Sequence, residues 1–281
     1  MKAAPFAYVR PATLDDVVAE LADAGDEGKV LAGGQSLVPV LAMRLGRPGV
    51  LVDINEVDGL DAMDEVDGVL RVGATVRQRR VERDPRSRTV PLLTKALPFV
   101  GHRELRSRGT VCGSLAHADP AAELPAVACC LGARLELAGP RGSRTVGAAD
   151  FFAGAMTTVV ADDEVLVAAE FPTARRGEGF GFAEIARRHG DFALAGVATR
   201  VRTDGDDVVE AVVTAFGVSD RPVTRDVRDI LDDPAAFREL ARNVVDTAGD
   251  GHGSTGYRRR LFAVLAARET AAAYAAAKEV A

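Results

Sequence analysis

The sequence has no run of about 18 or more apolar residues, the length at which a helix can cross a bilayer. We therefore expect no membrane span. The N-terminal stretch MKAAPFAYVRP also lacks the apolar segment of a secretory signal, so we expect a cytoplasmic protein. A basic stripe is missing too, because the formal net charge is −6 and the two signs are interspersed. Since nucleic-acid binding usually shows as a basic patch, we expect no nucleic-acid partner.

Cysteine and histidine are scarce. The three cysteines, Cys112, Cys129 and Cys130, are odd in number and lack the spacing of a disulfide framework. Cys129 and Cys130 lie in an apolar run, which predicts small buried side chains. Neither the cysteines nor the four histidines show the spacing of zinc or iron–sulfur ligands, so the sequence predicts no metal site.

The glycine pattern G-x-G-x-x-G of dinucleotide-binding Rossmann units is also missing. The chain is 281 residues long and 47% hydrophobic, which is enough to fill the cores of two or more subdomains. The predicted helices and strands do not alternate regularly along the chain. The sequence therefore favours an α+β fold over a doubly wound α/β fold.

The predicted elements follow from hydrophobic periodicity and capping residues. We predict strands at 29–32, 50–53, 164–171, 193–203 and 208–218, a hairpin over 133–146, and a strand followed by a helix over 69–82. We predict further helices at 13–24, 35–45, 91–100, 222–231, 235–247 and 255–281. The last helix carries an apolar stripe that we expect to be buried, formed by Tyr257, Leu261, Val264 and Leu265.

The stretch LAGGQSL at 31–37 places two glycines between a predicted strand and a predicted helix. Gly33 and Gly34 either form a purely structural turn or let backbone amides converge on an anion, together with those of Gln35 and Ser36. From this stretch alone both interpretations stay open.

A second glycine-containing segment, GTVCGSLAHADPAAELP, covers residues 109–125. It is too rich in glycine and proline for a regular element, so we predict an irregular loop. Gly109 and Gly113 would let the backbone approach a ligand closely. The segment also carries hydroxyls and carboxylates, at Thr110, Ser114, Asp119 and Glu123. Two such loops suit the diphosphate and ribose of an extended dinucleotide, and a tight buried loop with amide-capping carboxylates is the alternative.

A third segment, RRHGDFAL at 187–194, places Phe192 just before a predicted strand. An aromatic side chain at this point either packs on a flat ring of a ligand or belongs to the core. Both interpretations stay open from the segment alone.

Five motifs in this order resemble the FAD-binding medium subunit of molybdenum hydroxylases of the carbon monoxide dehydrogenase and xanthine dehydrogenase types. They are AGGQSL at 32–37, GTVCGSLAHADPAAELPA at 109–126, DFFAGAMTT at 150–158, RRHGDFAL at 187–194 and STGYRRRL at 254–261. The resemblance covers nearly the whole chain, and it implies an oxidoreductase subunit whose cofactor is FAD.

The resemblance also implies an architecture. Such subunits have a vanillyl-alcohol-oxidase-type (PCMH-type) FAD-binding domain of two α+β subdomains, followed by a C-terminal domain with a three-stranded sheet and a helical bundle. On this sequence the implied subdomains are 1–58 and 59–172, and the implied C-terminal domain is 173–281.

The resemblance assigns a set of residues to FAD, which would lie extended between these parts. On one side of the diphosphate, the first motif contributes Ala32, Gly33, Gly34, Gln35, Ser36 and Leu37. On the other side, the second motif contributes Thr110, Gly113 and Ser114. Asp119 would be an acceptor beside the flavin, and Glu123 would reach the adenosine ribose. The backbone of Leu166 would lie near the isoalloxazine, and Phe192 would cover it.

Electron transfer is the function that the resemblance implies, so we expect no catalytic residue on this chain. A molybdopterin-binding large subunit would oxidise the substrate, and a small subunit would relay electrons through [2Fe–2S] clusters. FAD on this chain would pass them to a terminal acceptor. The implied assembly is a dimer of such heterotrimers. A stand-alone FAD-dependent oxidoreductase and a flavin-free assembly subunit are the alternatives.

Two positions depart from the pattern of the family. Cys112 precedes Gly113 where relatives usually have two glycines. Because cysteine tolerates a positive φ less well, the close approach would depend on Gly113. Glu184 lies near the place where some xanthine dehydrogenase-type relatives have a lysine, so the flavin potential and the electron acceptor would differ.

Overall fold

The first part of the chain forms a small parallel sheet. The computed structural model describes residues 2–280. The sheet has the strand order β1-β3-β2. Its strands are β1 (Ala7–Val9), β2 (Gly28–Leu31) and β3 (Val50–Asp53). The predictions for β2 and β3 are confirmed within a residue, whereas β1 was not predicted.

Two helices accompany this sheet, α1 (Leu14–Ala24) and α2 (Leu37–Ala42). The predicted cap of α1 is confirmed, because the Thr13 hydroxyl accepts a hydrogen bond from the Asp16 amide at 3.2 Å. Helix α2 is shorter than predicted. Pro39 lies in its first turn, where a missing amide hydrogen costs no helical hydrogen bond, so the helix starts just before this proline.

The middle of the chain forms an antiparallel sheet with the strand order β4-β5-β10-β6-β7. The strands are β4 (Met63–Val66), β5 (Val69–Gly73), β6 (Arg134–Gly139), β7 (Gly142–Gly147) and β10 (Val165–Pro172). A short ribbon, β8 (Phe152–Gly154) with β9 (Thr157–Thr158), precedes β10. The predicted hairpin is confirmed as β6 and β7.

The helices of this middle part are short. They are α3 (Gln78–Arg83), α4 (Pro91–Ala96), α5 (Arg103–Arg108), α6 (Val111–His117), α7 (Glu123–Leu131) and α8 (Ala148–Phe151). The prediction of an irregular loop over 109–125 is wrong, since it contains α6 and the start of α7. The Thr110 hydroxyl caps α6 by accepting from the Gly113 amide, which offsets the poor helix propensity of glycine.

The last part of the chain carries an antiparallel sheet with the order β11-β12-β13-β14. The strands are β11 (Glu178–Ile185), β12 (Ala195–Asp204), β13 (Asp207–Phe216) and β14 (Val223–Asp226). A ribbon of β15 (Gly249–Asp250) and β16 (Gly253–Ser254) and two helices, α9 (Pro234–Val244) and α10 (Thr255–Glu279), complete it.

This sheet corrects two expectations. It has four strands rather than the implied three, and the part described here has two helices beside it rather than a bundle. The predicted helix at 222–231 is the edge strand β14 followed by a 3-10 turn, Arg228–Ile230. Val223 and Thr224 are β-branched and β13 offers an open edge, so pairing outweighs the helical pattern.

Helix α10 lies directly on β11 and β12. The predicted buried stripe is only partly right, because Leu265 is buried but Tyr257 is 38% and Val264 is 64% exposed. The buried face is instead rich in alanine, and glycines at 179 and 181 of β11 lie beneath it. Small residues on both sides bring the backbones into contact. Although α10 has 25 residues, no helix within residues 2–280 combines the length and apolar character of a membrane span.

Helix α7 joins the middle sheet to the last sheet. It contacts β10 on one side and β12 and β13 on the other, and all but one of its residues are buried. Phe182 of β11 lies beside this junction, with ring centroids 5.7 Å from Phe216 and 5.3 Å from Phe99. One continuous apolar core therefore extends from the middle part into the last part.

We predict that Gly179→Ala destabilises the protein by about 1–3 kcal/mol, the usual range for overpacking. A Cβ at this position would lie 1.9 Å from the Ala273 carbonyl oxygen, so α10 would have to move away from β11. Thermal unfolding by calorimetry measures the effect. The matched control is Gly251→Ala, where the added methyl group meets no atom within 4 Å. Equal melting temperatures for the wild type and Gly179→Ala would contradict the close packing.

Candidate functional site

The first glycine loop follows β2 as predicted. Gly34 has a φ of 72°, a left-handed conformation that favours glycine. The Gln35 side-chain amide donates to the Gly33 carbonyl at 3.1 Å, and the Gly34 carbonyl accepts from Val38 at 3.0 Å. Within residues 2–280, the backbone amides of Gly34, Gln35 and Ser36 have no acceptor. The loop therefore presents three consecutive free donors.

Ser36 and Leu37 complete this motif. Ser36 is exposed and is the N-cap residue of α2, but its hydroxyl makes no capping bond to the described chain. Leu37 is the first residue of α2 and is half-buried. The hydroxyl of Ser36 is thus available to a ligand beside the free amides.

The two predicted glycine loops are in direct contact. A Cβ at Gly33 would lie 2.4 Å from the Arg108 carbonyl oxygen and 2.8 Å from the Gly109 Cα. Residue 33 is buried, so a side chain here would push the loops apart. Glycine is therefore needed at position 33 because the two loops touch there, which is a structural role.

A polar frame holds this contact. Asn55 donates from Nδ2 to the Ala32 carbonyl at 2.8 Å. Arg77 donates from one guanidinium nitrogen to Asn55 Oδ1 and from the other to the Arg108 carbonyl, both at 2.7 Å. Asp53 Oδ1 in turn accepts from the Asn55 side chain at 2.6 Å. Sequence patterns did not identify Asn55 and Arg77, because the bonds that they make across the contact join residues 22 or more positions apart.

The second segment places its candidate residues at the start of α6. Thr110 is 2% exposed, and its hydroxyl accepts from the Gly113 amide at 2.9 Å. A Cβ at Gly113 would lie 2.6 Å from this hydroxyl oxygen. The Ser114 amide donates to the Thr110 carbonyl at 3.2 Å, while Ser114 itself is half-buried. Thr110 and Gly113 therefore have a local role in starting the helix.

Asp119 and Glu123 lie between α6 and α7. Asp119 Oδ1 accepts from the Ala121 amide at 2.8 Å and closes a tight turn. Glu123 is the first residue of α7 and is 7% exposed. Burial raises the pKa of the Glu123 carboxyl to about 7, and the Asp119 charge adds to this shift.

Glu184 of β11 is half-buried and places a second carboxyl near Glu123. Burial raises its pKa to about 8, and the charge of Glu123 contributes to the same shift. Its Oε2 atom is buried and has no hydrogen-bond partner within residues 2–280. A buried polar atom without a partner points to a group that completes the site.

Leu166 and Phe192 differ sharply in exposure. Leu166 is 5% exposed and lies in β10, where the pairing with β6 shifts register between Leu166 and Ala168. Phe192 is 71% exposed in the connection between β11 and β12. The core interpretation of Phe192 is therefore wrong, and its ring is available to a ligand.

Two clefts of the described residues lie away from the candidate segments. One of about 610 Å³ is lined by residues that include Val208, Arg228 and Tyr274, and one of about 330 Å³ shares Tyr274 with it. Neither contains a residue of the three candidate segments.

Comparison with known proteins assigns the family. Residues 4–174 match the family model described as the FAD binding domain in molybdopterin dehydrogenase. The chain belongs to this family. Caffeine dehydrogenase subunit beta of Pseudomonas sp. strain CBB1 is 34% identical over 97% of this chain and 96% of that protein. The carbon monoxide dehydrogenase medium chain of Afipia carboxidovorans is 32% identical over 97% and 98%.

A solved structure agrees with these relatives. Quinoline 2-oxidoreductase from Pseudomonas putida 86 superposes with a TM-score of 0.90 and 36% identity, covering 99% of this chain and 100% of that chain. The resemblance stated from the five motifs is therefore confirmed. The protein is a flavoprotein subunit of the molybdenum hydroxylase family, an oxidoreductase whose cofactor is FAD.

The described residues fit FAD. The free amides after Gly33 suit a diphosphate, and the exposed ring of Phe192 suits the flat isoalloxazine. The buried Oε2 of Glu184 leaves one polar atom to be satisfied. The features that suit FAD therefore come from three separate segments of the chain.

The cysteine in the second motif causes no backbone strain. Cys112 lies inside α6 with a helical conformation, and neither it nor Gly113 has a positive φ. The concern about a positive φ at this pair is therefore unfounded. The Cys112 thiol is buried and donates to the Val72 carbonyl at 3.4 Å, and burial raises its pKa to about 12. The residue anchors α6 on β5.

We predict that Gly33→Ala lowers the affinity for FAD by roughly tenfold or more, because overpacking at the loop contact costs about 1–3 kcal/mol. The flavin content after gel filtration and the far-UV circular dichroism are the measurements, and the latter stays near native. The control is Gly147→Ala, where the nearest atom to a new Cβ is 4.0 Å away. A fully loaded Gly33→Ala protein would refute the role of this contact.

We predict that the carboxyls at 123 and 184 make the apoprotein less stable as the pH rises. Glu184 has an ordinary pKa of 4.5 that is raised to about 8 in the fold, so the folded state binds a proton more tightly than the unfolded state. The bound proton therefore contributes to the free energy of unfolding. Its contribution is complete below pH 4.5 and is lost as the pH rises through about 8. Neighbouring charges on Glu123, Asp119 and Arg106 act on the same pair.

Glu184→Gln should therefore raise the melting temperature by a few degrees at pH 8.5 and change it little at pH 5. Thermal unfolding at both pH values checks this, with the exposed Glu104→Gln as the control. Parallel pH profiles for wild type and Glu184→Gln would show that the carboxyl does not hold a proton in the fold.

Proposed function

We propose that this chain is the electron-transfer subunit of a three-chain molybdenum hydroxylase. A molybdopterin-binding large subunit oxidises the substrate, and a small subunit with [2Fe–2S] clusters delivers electrons to this chain. The complex is a dimer of heterotrimers. The names of the relatives support this arrangement, because they describe a subunit beta and a medium chain.

We propose that FAD binds where the three parts of the chain meet. The observation that carries this proposal is the loop of free amides at Gly34–Ser36, docked through Gly33 on the second glycine loop. Diphosphate oxygens accept from amides of this kind. The segment from Ala32 to Leu37 would hold the diphosphate on one side, and Ser114 at the start of α6 would approach it from the other.

Two of the residues that the resemblance assigns to FAD have a structural role instead. Thr110 and Gly113 support the site by capping α6, since the Gly113 amide already has the Thr110 hydroxyl as its acceptor. Asp119 and Glu123 would face the sugar hydroxyls, where a carboxyl can accept a hydrogen bond. The backbone of Leu166 and the ring of Phe192 would enclose the isoalloxazine.

The proposed architecture follows the sheets. The first sheet lies within residues 1–58, the second within 59–172 and the third within 173–281. We assign the first two to the subdomains of a vanillyl-alcohol-oxidase-type (PCMH-type) FAD-binding domain and the third to the C-terminal domain. Three separate sheets support these boundaries.

FAD, when bound, supplies the redox chemistry by accepting electrons singly and releasing them to an acceptor. The residues of this chain bind the cofactor, orient it and set the charge around it. A protonated carboxyl adds no negative charge, so a proton held by the Glu123 and Glu184 pair would ease electron uptake at neutral pH. Glu184, in the neighbourhood of a lysine of some relatives, would tune the potential in this way.

Co-expression with the two partner chains tests the proposal. We expect the complex to contain FAD, molybdenum and iron, and the purified chain to retain FAD in an equimolar amount. Reduced [2Fe–2S] partner should bleach the flavin band of the chain, whereas an organic substrate alone should not. Reduction by a substrate without partners would instead establish a stand-alone oxidoreductase. A colourless chain that still joins the complex would establish a flavin-free assembly subunit.

A further inference from the structure

A buried arginine in the first turn of α10 connects three separate segments. The side chain of Arg258 is 8% exposed. Its Nη1 donates to the Leu194 carbonyl at 2.7 Å and to the Gly217 carbonyl at 2.9 Å. Its Nη2 donates to Asp250 Oδ2 at 2.7 Å. One guanidinium therefore holds two backbone carbonyls and one carboxylate that are far apart in sequence.

The first of these segments carries Phe192. Leu194 lies two residues after Phe192, in the connection between β11 and β12. Gly217 packs against the same connection, since a Cβ on it would lie 2.7 Å from the Ala193 carbonyl oxygen. The φ of Gly217 is 73°, a second reason for glycine there. Arg258 thus holds the backbone just after Phe192.

The second segment, at Gly217, leads to the turn between Asp119 and Glu123. The Gly217 amide donates to the Pro120 carbonyl at 2.8 Å, and Pro120 lies in the turn between Asp119 and Glu123. Gly217 therefore binds Arg258 through its carbonyl and this turn through its amide. The guanidinium therefore connects the backbone after Phe192, through Gly217, to the turn before Glu123.

The third segment is the ribbon of β15 and β16. Asp250 Oδ1 accepts from the amides of His252 and Gly253 at 2.8 and 3.1 Å, while its other oxygen binds Arg258. His252 Nδ1 lies 3.3 Å from a guanidinium nitrogen of Arg187, at the start of the connection that carries Phe192. The ribbon and α10 therefore hold this connection at both ends.

Arginine suits this place for a geometric reason. A guanidinium presents a rigid planar set of donors, whereas the ammonium of lysine is a single point that cannot reach all three acceptors. The ion pair with Asp250 is weak grounds for stability, because burial desolvates the arginine and water screens the half-exposed carboxylate. The arrangement therefore indicates orientation of the segments rather than strength of the fold.

We propose that Arg258 is a positioning residue that sets the Phe192 segment relative to the Asp119–Glu123 turn, and thereby the enclosure of the flavin. The proposal rests on the proposed function, in which these two segments contact FAD. It differs from that function in assigning a role to a residue that would touch no cofactor atom.

A double-mutant cycle tests the proposal in the FAD-loaded protein. The variants are Arg258→Met, Phe192→Ala and their combination, with Arg260→Met as the control from the exposed face of the same helix. We expect Arg258→Met to weaken FAD binding roughly tenfold and to raise iodide quenching of flavin fluorescence. In the Phe192→Ala background the same change should cost about twofold or less, because the positioned ring is already absent.

Hydrogen exchange of the apoprotein gives a readout that does not need the cofactor. Arg258→Met should speed exchange of amides at 186–194 and 119–123, and Arg260→Met should not. Asp250→Asn is a milder variant, since its side chain is 50% exposed, and it should show the same pattern to a smaller extent if Arg258→Met fails to fold.

Three results overturn the proposal: equal losses of FAD affinity in both backgrounds, unchanged affinity in Arg258→Met, and exchange that rises uniformly over the chain. A wild-type chain that binds no FAD would refute the proposed function instead. In that case the exchange pattern would still show whether Arg258 holds the two segments together.

Discussion

The close contact between Gly33 and the Arg108–Gly109 turn is the constraint on which the site depends. It brings the loop after β2 against the turn that leads into α6, with no side chain between them. Asn55 and Arg77 then bond across the contact, and each donates to a backbone carbonyl beside it, those of Ala32 and Arg108. The amides of Gly34, Gln35 and Ser36 have no acceptor within residues 2–280, which leaves them available to the diphosphate that we propose.

Helix α7 determines the surroundings of the carboxyls in the candidate site. Because it is buried against two sheets, its first residue, Glu123, lies in an apolar environment near Glu184. The raised pKa of both carboxyls is thus a consequence of how the middle and last sheets meet. Arg258 binds the carbonyl of Gly217, next to the Asp119–Glu123 turn, and the carbonyl of Leu194, just after Phe192. One side chain therefore contacts both the segment beside the carboxyls and the segment that carries the aromatic ring.

Elements whose conformation depends on neighbouring residues were predicted correctly from the sequence. Elements whose conformation depends on a partner far away in the chain were not. The Thr13 cap and the hairpin at 133–146 were predictable from neighbouring residues. The strand at 223–226 was not, since its conformation depends on the open edge of β13. Likewise, Val264 is exposed because α10 packs through alanines onto glycines of β11, and periodicity alone favours the larger apolar residues.

The sequence by itself determined the family and the cofactor, because the motifs that carry them are short, contiguous and in a fixed order. It also placed both glycine loops and the exposed Phe192 among the candidates. Only the tertiary structure decided that the loops touch, that Asn55 and Arg77 bond across this contact, and that Arg258 binds the backbone just after Phe192. Their bonds to Ala32, Asn55, Arg108, Leu194 and Gly217 join residues between 22 and 64 positions apart, and no local pattern in a chain records a contact at that distance.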